Sequence, residues 1–549
     1  MNFLRRWATL RALMVVSVLG GAGSASAKAP KLTLFITVDA FGSDVFLRSR
    51  PKFKAGLLTL VRDGASFPTA RYDYAETVTA AGHATLATGT NPARHGIASN
   101  RVLNRATGKL ERIFADPNHP VLEAPLSQDD VSPLNLLAET LSDRLRQSTQ
   151  SRGKSVSISG KARSAIAMGG KLGEAWWFSE EVGKFVTGTY YRKEFPAWVK
   201  TFNDKKLPDA YFGKEWSLLE PVAQYIGEDD RAGESDAYGL GKKFPHPLNG
   251  GLAQPGPQSY SALATSPMFN EVMVGFAKAA IDGEALGKDD IPDLLSVSLS
   301  AFDRTYHLFG PYSWEAQDHV LRLDRAIGEL IAFAEKAAGG RANLLVVLSA
   351  DHGGANIPEQ WAALGLDAVR FNPTTLEKAL EKELGTKFNA GRLVSAIEEA
   401  DVYLDQKAIA DKKLDLAVVR RFTAAWLARQ PDVALAVARE DLFGADASPG
   451  WLPYLRAGFH PDRSGDVLML LKQGRVSEVE VAGASHGSPY SYDVMVPLLL
   501  LGRGVKPGYY PHQIRVVDVA PTVSALMEML PPAQAEGEVR DLAISISPK

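Results

Sequence analysis

Three stretches of this 549-residue chain share one pattern: a strand-like aliphatic run that ends at, or just before, an acid. "LTLFITVDAFG" runs from Leu32 to Val38 and stops at Asp39. "DLLSVSLSAFDRTYH" runs from Leu294 to Leu299 and then reaches Asp303 and His307. "LLVVLSADHGGA", starting at Leu344, ends on Asp351 and His352. Near-continuous apolar runs suit strands buried on both faces, as in parallel sheets covered by helices. Between the last two runs, Val320, Leu323, Ile327, Leu330, Ile331 and Ala334 recur at helical spacing, and Gly339-Gly340 ends the segment. That is a strand–helix–strand unit. The expected class is α/β, with a central mostly parallel sheet flanked by helices.

In open α/β sheets, ligands gather outside the carboxyl ends of the strands. Acids placed there can meet in space though they are hundreds of residues apart. A single such Asp reads as a helix cap. Three of them, two with a histidine nearby, favour a metal site. Asp39, Asp303, His307, Asp351 and His352 offer carboxylate and imidazole donors, and His486 in "GASHGSPYSYD" is a sixth candidate. The chain has no cysteine, so neither disulfides nor thiolate ligands are available. Mixed His/Asp ligation without sulfur suits zinc, with manganese or another divalent ion as alternatives. Six ligands exceed one tetrahedral ion, which implies two metals.

"ETVTAAGHATLATG" supplies a hydroxyl. Thr79 precedes a short helix closed by Gly89, and free N–H groups at a helix N-terminus favour an anion. A threonine oxygen next to a metal loses its proton more readily. Read locally, Thr79 is better read as a simple cap, with Thr77 and Thr85 as nearby decoys and Thr77 competing for that role.

Taken in order, the strand-ending Asp, the threonine before a helix, D-x-x-x-H, "ADHG" and a late "SHG" resemble the alkaline phosphatase superfamily. The likeness extends to the bacterial PafA/PhoK-type alkaline phosphatases that use a threonine nucleophile. It is borne by "TVTAAGHATLATG", "HGIASN", "KARSAI", "WWFSEEVGKFVTGTYY", "FDRTYHLFGP", "LSADHGG", "GFHPDRSGD" and "VVDVAPTVSALM". The resemblance implies one zinc held by Asp303, His307 and His486. It implies a second held by Asp39, Asp351, His352 and the oxygen of Thr79. Asn100, Lys161 and Arg163 would then hold the phosphoryl oxygens. "SVSISGKARSAI" reads as a strand followed by a loop, a suitable place for Lys161 and Arg163. Ala162 stands between them where the family often has a polar residue.

The activity implied is hydrolysis of small phosphate monoesters through a phosphothreonine. The alternative is a nucleotide pyrophosphatase/phosphodiesterase, which shares the ligands and threonine but needs fewer cations for its singly charged diester. A non-catalytic metal- or phosphate-binding protein would not need Thr79. A sulfatase would need a modifiable nucleophile motif that is absent.

Other features bound the cellular setting. Arg5, Arg6 and Arg11, the apolar "ALMVVSVLGGAG" and the small residues ending at Ala27 read as a signal peptide over 1–27. The expected location is periplasmic or secreted, without stable membrane insertion after cleavage, and a monomer is expected. A net charge of −2 gives no electrostatic case for a nucleic-acid partner. Residues 28–549 read as one catalytic domain with insertions at roughly 165–290 and 370–470, the second a small α/β subdomain. Within the first, "WWFSEEVGKFVTGTYY" reads as a hairpin around Glu181 to Gly183. Its Trp176, Trp177, Tyr190 and Tyr191 are expected to pack. Residues 226–262 read as loop. His83 is expected to pack or to support the site, and His95 to shape the loop before Asn100.

Overall fold

The computed structural model describes residues 29–124, 131–444, 450–477 and 482–544. The export signal read over residues 1–27 lies outside the described residues. Among those described, no helix is long and apolar enough to cross a membrane.

A ten-stranded sheet forms the centre. Leu32–Val38 is the middle strand, with every residue buried. It pairs in parallel with Asp293–Leu299 on one side and Leu344–Ser349 on the other. Ser155–Ser159 and Glu174–Ser179 continue the parallel set beyond Asp293–Leu299. Met495–Gly502 and Ala65–Arg71 extend the far side, and Met495–Gly502 runs antiparallel to both of its neighbours. The three aliphatic runs are thus adjacent. Register aligns Val38 with Leu299 and Thr37 with Ser349, so their carboxyl ends open on one rim. The apolar face of the long helix Trp314–Ala337 lies in the core, with Leu323, Ile327, Leu330 and Ala334 fully buried. Burying a Leu or Ile side chain contributes about 1.5–3 kcal/mol.

The stretch 165–290 departs from its reading as an insertion. Glu174–Ser179 and the antiparallel Lys184–Val186 are the last two strands on one side of the main sheet, joined by the turn at 180–183. Trp176 and Trp177 are fully buried there, as packing residues. The segment 226–262 is less loop-like than its composition implies, because a helix begins at Pro257. Between Phe371 and Leu471 a separate four-stranded sheet has its own core, in which Leu380, Leu384, Val402, Val419 and Val467 are fully buried. Helices Pro373–Phe388 and Leu416–Leu427 cover it.

The 226–262 segment bears on the rim through its backbone. Ser235 N–H donates to the carbonyl of Leu308 at 2.8 Å, and Gly483 N–H donates to that of Gly233 at 2.6 Å. It is anchored by a buried polar group. His246 Nε2 lies 3.1 Å from Glu315 Oε1, and Glu234 is fully buried nearby. Burial, then repulsion from Glu315, pushes the Glu234 carboxyl up to about 9. Folded protein therefore binds more protons than unfolded chain between the ordinary glutamate range and pH 9. Stability falls as pH rises through that window. Glu234→Gln should flatten this decline, so that the melting-temperature difference from wild type grows in the variant's favour from pH 5 to pH 9. Parallel pH profiles would show Glu234 not to be the source.

Candidate active site

Four neighbouring strand ends build the rim. Asp39 directly follows its strand, and its N–H donates to the carbonyl of Leu299 at 3.2 Å. Asp351 lies two residues past Ser349, and its Oδ1 accepts from the N–H of Ala40 at 3.1 Å. Asp303 and His307 sit one turn apart on the helix Ala301–Phe309, which follows the third strand. The third acid is therefore carried by a helix, not by the strand end itself. Lys161 lies two residues after Ser159 and is the N-cap of the helix Ala162–Gly169. Arg163 is in that helix's first turn, where the sequence reading expected a loop.

Thr79 is the first residue of the helix Thr79–Thr88, whose residues are all buried. Val78 occupies the cap position with extended backbone, so neither Thr79 nor Thr77 serves as the cap. The Thr77 hydroxyl donates instead to the carbonyl of Ser488. The helix is pressed onto the rim. A Cβ on Gly82 would fall 2.1 Å from the carbonyl oxygen of Asp351, an approach only glycine permits. Gly89 then closes the helix in the left-handed region, at φ 69°.

The structure brings the candidate residues together. Donor atoms of Asp39, Asp351 and His352 lie within 4.8 Å of one another, as do those of Asp303, His352 and His486. His352 thus lies between the two groups. His307 Nε2 is 3.4 Å from Asp303 Oδ1, and His486 Nε2 is 3.8 Å from the same oxygen. All three histidines use Nδ1 on a backbone carbonyl: His307 on Ala484, His352 on Gly353, His486 on Thr77, each at 2.8 Å. That fixes the rings with Nε2 toward the acids, the usual arrangement of metal-ligating imidazoles. The rings of His352 and His486 stack at 3.6 Å.

The electrostatics fit a cation centre. Asp39, Asp303 and Asp351 are all essentially buried. Burial, then repulsion from Asp303 and Asp351, pushes the Asp39 carboxyl well above the usual range. Asp303 and Asp351 are pulled below it against the cost of burial, Asp303 by Lys161 and His307, Asp351 by His352 and His83. Burial, then neighbouring rings, holds His486 well below the ordinary histidine value, which keeps its Nε2 lone pair available. Oδ1 of Asp39, Oδ1 of Asp303 and Nε2 of His352 have no hydrogen-bond partner among the described residues. Orphaned buried polar atoms are costly. Three of them on one rim fit a divalent metal centre of imidazoles and carboxylates.

Lys161 Nζ stands 2.7 Å from Asp39 Oδ2, 2.5 Å from Asp303 Oδ2 and 3.5 Å from Thr79 Oγ1. Arg163 Nη2 is also 3.5 Å from Thr79 Oγ1. Asn100 accepts through Oδ1 from the N–H of Ala80 at 3.0 Å, which ties it to the start of the Thr79 helix. His83 accompanies this group. It reaches the Thr79 carbonyl and Ser298 Oγ at 2.9 and 2.8 Å, and its Nδ1 lies 3.2 Å from Asp351. His95 is buried and neutral, its pKa lowered to about 3 by burial. It accepts from the N–H of Ile97 on the way to Asn100.

Sequence reasoning missed some neighbours. A cavity of about 510 Å³ beside Lys161 and Arg163 is also lined by Arg101, Arg112, Glu180 and Arg304. Arg304 donates to both oxygens of Glu180. A second cavity, about 400 Å³, runs from His307 and His486 to Glu398 and Glu399 of the four-stranded insertion. Surface arginines and glutamates have no local signature, and only the fold assembles them.

The chain matches the family model for type I phosphodiesterase/nucleotide pyrophosphatase over residues 33–488. It is 33% identical over 542 residues to the alkaline phosphatase PafA of Elizabethkingia meningoseptica, covering 97% of this chain and 98% of that one. It is 32% identical over 518 residues to the alkaline phosphatase PhoV of Synechococcus elongatus, covering 93% and 92%. The crystal structure of wild-type PafA superposes with a TM-score of 0.87 at 32% identity, over 94% of this chain and 99% of that one. A solved PafA variant has a threonine, an asparagine, a lysine and an arginine replaced together. A murine ectonucleotide pyrophosphatase/phosphodiesterase, at 13% identity and a TM-score of 0.54, shares the fold. With its rim of buried acids and histidines, the chain belongs to the type I phosphodiesterase/nucleotide pyrophosphatase family, within the alkaline phosphatase superfamily.

Proposed function

We propose that this protein is a phosphate monoester hydrolase of the alkaline phosphatase type, with Thr79 as nucleophile. One observation carries the reading: a lysine and an arginine both stand 3.5 Å from the hydroxyl of a threonine at a helix N-terminus, beside three buried carboxylates. A dianionic phosphoryl group needs that density of positive charge. Asp39, Asp351 and His352 would hold one divalent ion next to Thr79, and Asp303, His307 and His486 a second. Zinc suits this sulfur-free donor set. When bound, such a pair offsets charge on the entering and leaving oxygens and acidifies a nearby hydroxyl or water.

The chain's own groups set the geometry. Thr79 Oγ1 forms a bond to phosphorus as the alcohol departs with its oxygen, leaving a phosphothreonine. Water then displaces Oγ1 and frees inorganic phosphate. Lys161 and Arg163 hold the equatorial oxygens through both displacements, and Asn100 donates to one of them through its amide. The Gly82 contact with Asp351 keeps Thr79 on the rim, where a displacement of about 1 Å would cost ~10²-fold in rate. The export signal read at residues 1–27 would place this activity in the periplasm or outside the cell.

The matched family name favours a second reading, a phosphodiesterase or nucleotide pyrophosphatase. A diester carries one charge fewer and an extra substituent, so it makes poorer use of Lys161 and Arg163.

The tests separate these parts. Thr79→Ala should lower kcat by at least about 10³-fold and abolish acid-stable phosphoprotein in a quench with labelled substrate; undiminished turnover removes Thr79 from the mechanism. Chelation should abolish activity and zinc restore it. It should also lower the melting temperature, since loss of the ions leaves three buried acids facing one another. p-Nitrophenyl phosphate should be strongly preferred over bis-p-nitrophenyl phosphate, and Lys161→Ala/Arg163→Ala should erase most of that preference. Wild-type preference for the diester would select the second reading.

A further inference from the structure

A third cavity, about 450 Å³, lies apart from the groups placed at phosphorus: none of Thr79, Asn100, Lys161 and Arg163 lines it. Its wall is assembled from the helix Ser43–Ser49, the turn Arg50–Lys52, the long helix Trp314–Ala337, the 226–231 stretch and the chain around Pro358–Ala363. Most of the lining is aliphatic. Val45, Val320 and Leu321 are buried in the wall, while Ile226, Leu364 and Leu366 are exposed beside it. The two aromatic rings of the lining are engaged elsewhere. Trp361 packs on Tyr492 at 5.2 Å, and the Arg48 guanidinium covers Tyr312 at 4.1 Å. Large apolar side chains left exposed around a concave space of this size mark a ligand site.

The charged side chains of the lining are Arg48, Lys52 and Arg231, and no carboxylate lines the cavity. None of the three has an ion-pair partner among the described residues. Lys52 meets neutral oxygens: its Nζ donates to the Gln224 carbonyl at 2.6 Å and lies 3.4 Å from Gln317 Oε1. Partial burial lowers its pKa. The acids closest in the chain answer other groups. Asp44, one turn before Arg48, accepts from the Tyr312 hydroxyl, and Asp230 pairs with Lys243. Glu359 pairs with Arg370. Glu234, which faces Arg231, is the carboxyl that burial keeps protonated at neutral pH. The cavity also holds an unspent polar group. Asn356 lines it, is only 3% exposed, and its Oδ1 has no hydrogen-bond partner among the described residues. A buried amide left over at a cavity wall is a polar handle for a ligand.

We propose that this cavity binds one small amphipathic carboxylate, an aliphatic chain whose anionic head is held among Arg48, Lys52 and Arg231. The aliphatic walls take the chain, and the planar guanidinium forks match the head. A space of this size takes a single molecule, not a bilayer surface. The site shares no lining residue with the phosphoryl groups, so it stands whether or not the protein hydrolyses monoesters.

Isothermal titration calorimetry on the zinc-loaded full chain tests this with decanoate, decanol and decyltrimethylammonium. Decanoate should bind as one molecule per chain, about tenfold or more tightly than either congener at low ionic strength. Its affinity should fall with added salt. Saturating inorganic phosphate should leave decanoate bound, because the phosphoryl site lies elsewhere. Arg48→Gln/Arg231→Gln should weaken decanoate by about tenfold, and Arg48→Lys/Arg231→Lys should retain part of the affinity. Leu364→Asp sets a like charge on the exposed lip, outside the core. It should melt at the wild-type temperature and weaken decanoate too. If the glutamine variant melts lower than wild type, Leu364→Asp alone decides. Equal affinity for decanoate and decyltrimethylammonium overturns the site. So does displacement of decanoate by phosphate, or an affinity unchanged in Leu364→Asp. Co-sedimentation with phosphatidylglycerol vesicles, without any binding of decanoate, assigns this face to a membrane surface and overturns the site as well.

Discussion

Three carboxylates buried on one rim are the constraint on which the rest of this structure depends. Charge buried without compensation is among the costliest arrangements a fold can hold. Here Asp39, Asp303 and Asp351 are forced together by the register of three adjacent parallel strands. The surroundings answer them piece by piece. Lys161 reaches Asp39 and Asp303, His83 reaches Asp351, and three histidines are locked by backbone carbonyls with Nε2 inward. The atoms left unpartnered are those that fit cations from outside the chain.

Labour is divided between scaffold and periphery. The sheet and its helices set the donor positions through buried aliphatic packing, which tolerates little displacement. The elements that shape access are of another kind. The hairpin of Arg101–Asn104 and Lys109–Arg112, the 226–262 segment and the four-stranded insertion meet the rim through a few backbone bonds and small side-chain clusters. Their linings differ: arginines with Glu180 and Glu181 border one cavity, while Glu398 and Glu399 border the other. Substrate choice can therefore change at the periphery without disturbing the acids.

Much of this was legible in the sequence, for physical reasons. Strands buried on both faces betray themselves as unbroken aliphatic runs, so the central three were found with boundaries close to those observed. Their terminal acids followed from topology. The helix Trp314–Ala337 was marked by its periodic apolar face. The failures have causes as clear. Lys161 and Arg163 read as a loop because cations at a helix start run against the macrodipole. The two strands at 174–186 read as an insertion because the hairpin signal is local and does not say which sheet it joins. The facing of Arg101 and Arg112 depends on a register that no short-range pattern encodes.

The helix Ala162–Gly169 starts on positive charge. Helices ordinarily start with acids and small hydroxyls, yet this one has a lysine at its cap and an arginine in its first turn. Dipole and side chains there push in the same direction; Asp39 and Asp303 offset Lys161, and the field that is left is that of Arg163 and the helix start. An approaching oxyanion discharges it at once, with no reorganisation required at the moment of contact. Part of the folding stability given up at this helix thus reappears as affinity for whatever negative charge arrives there, a trade between being folded and being ready.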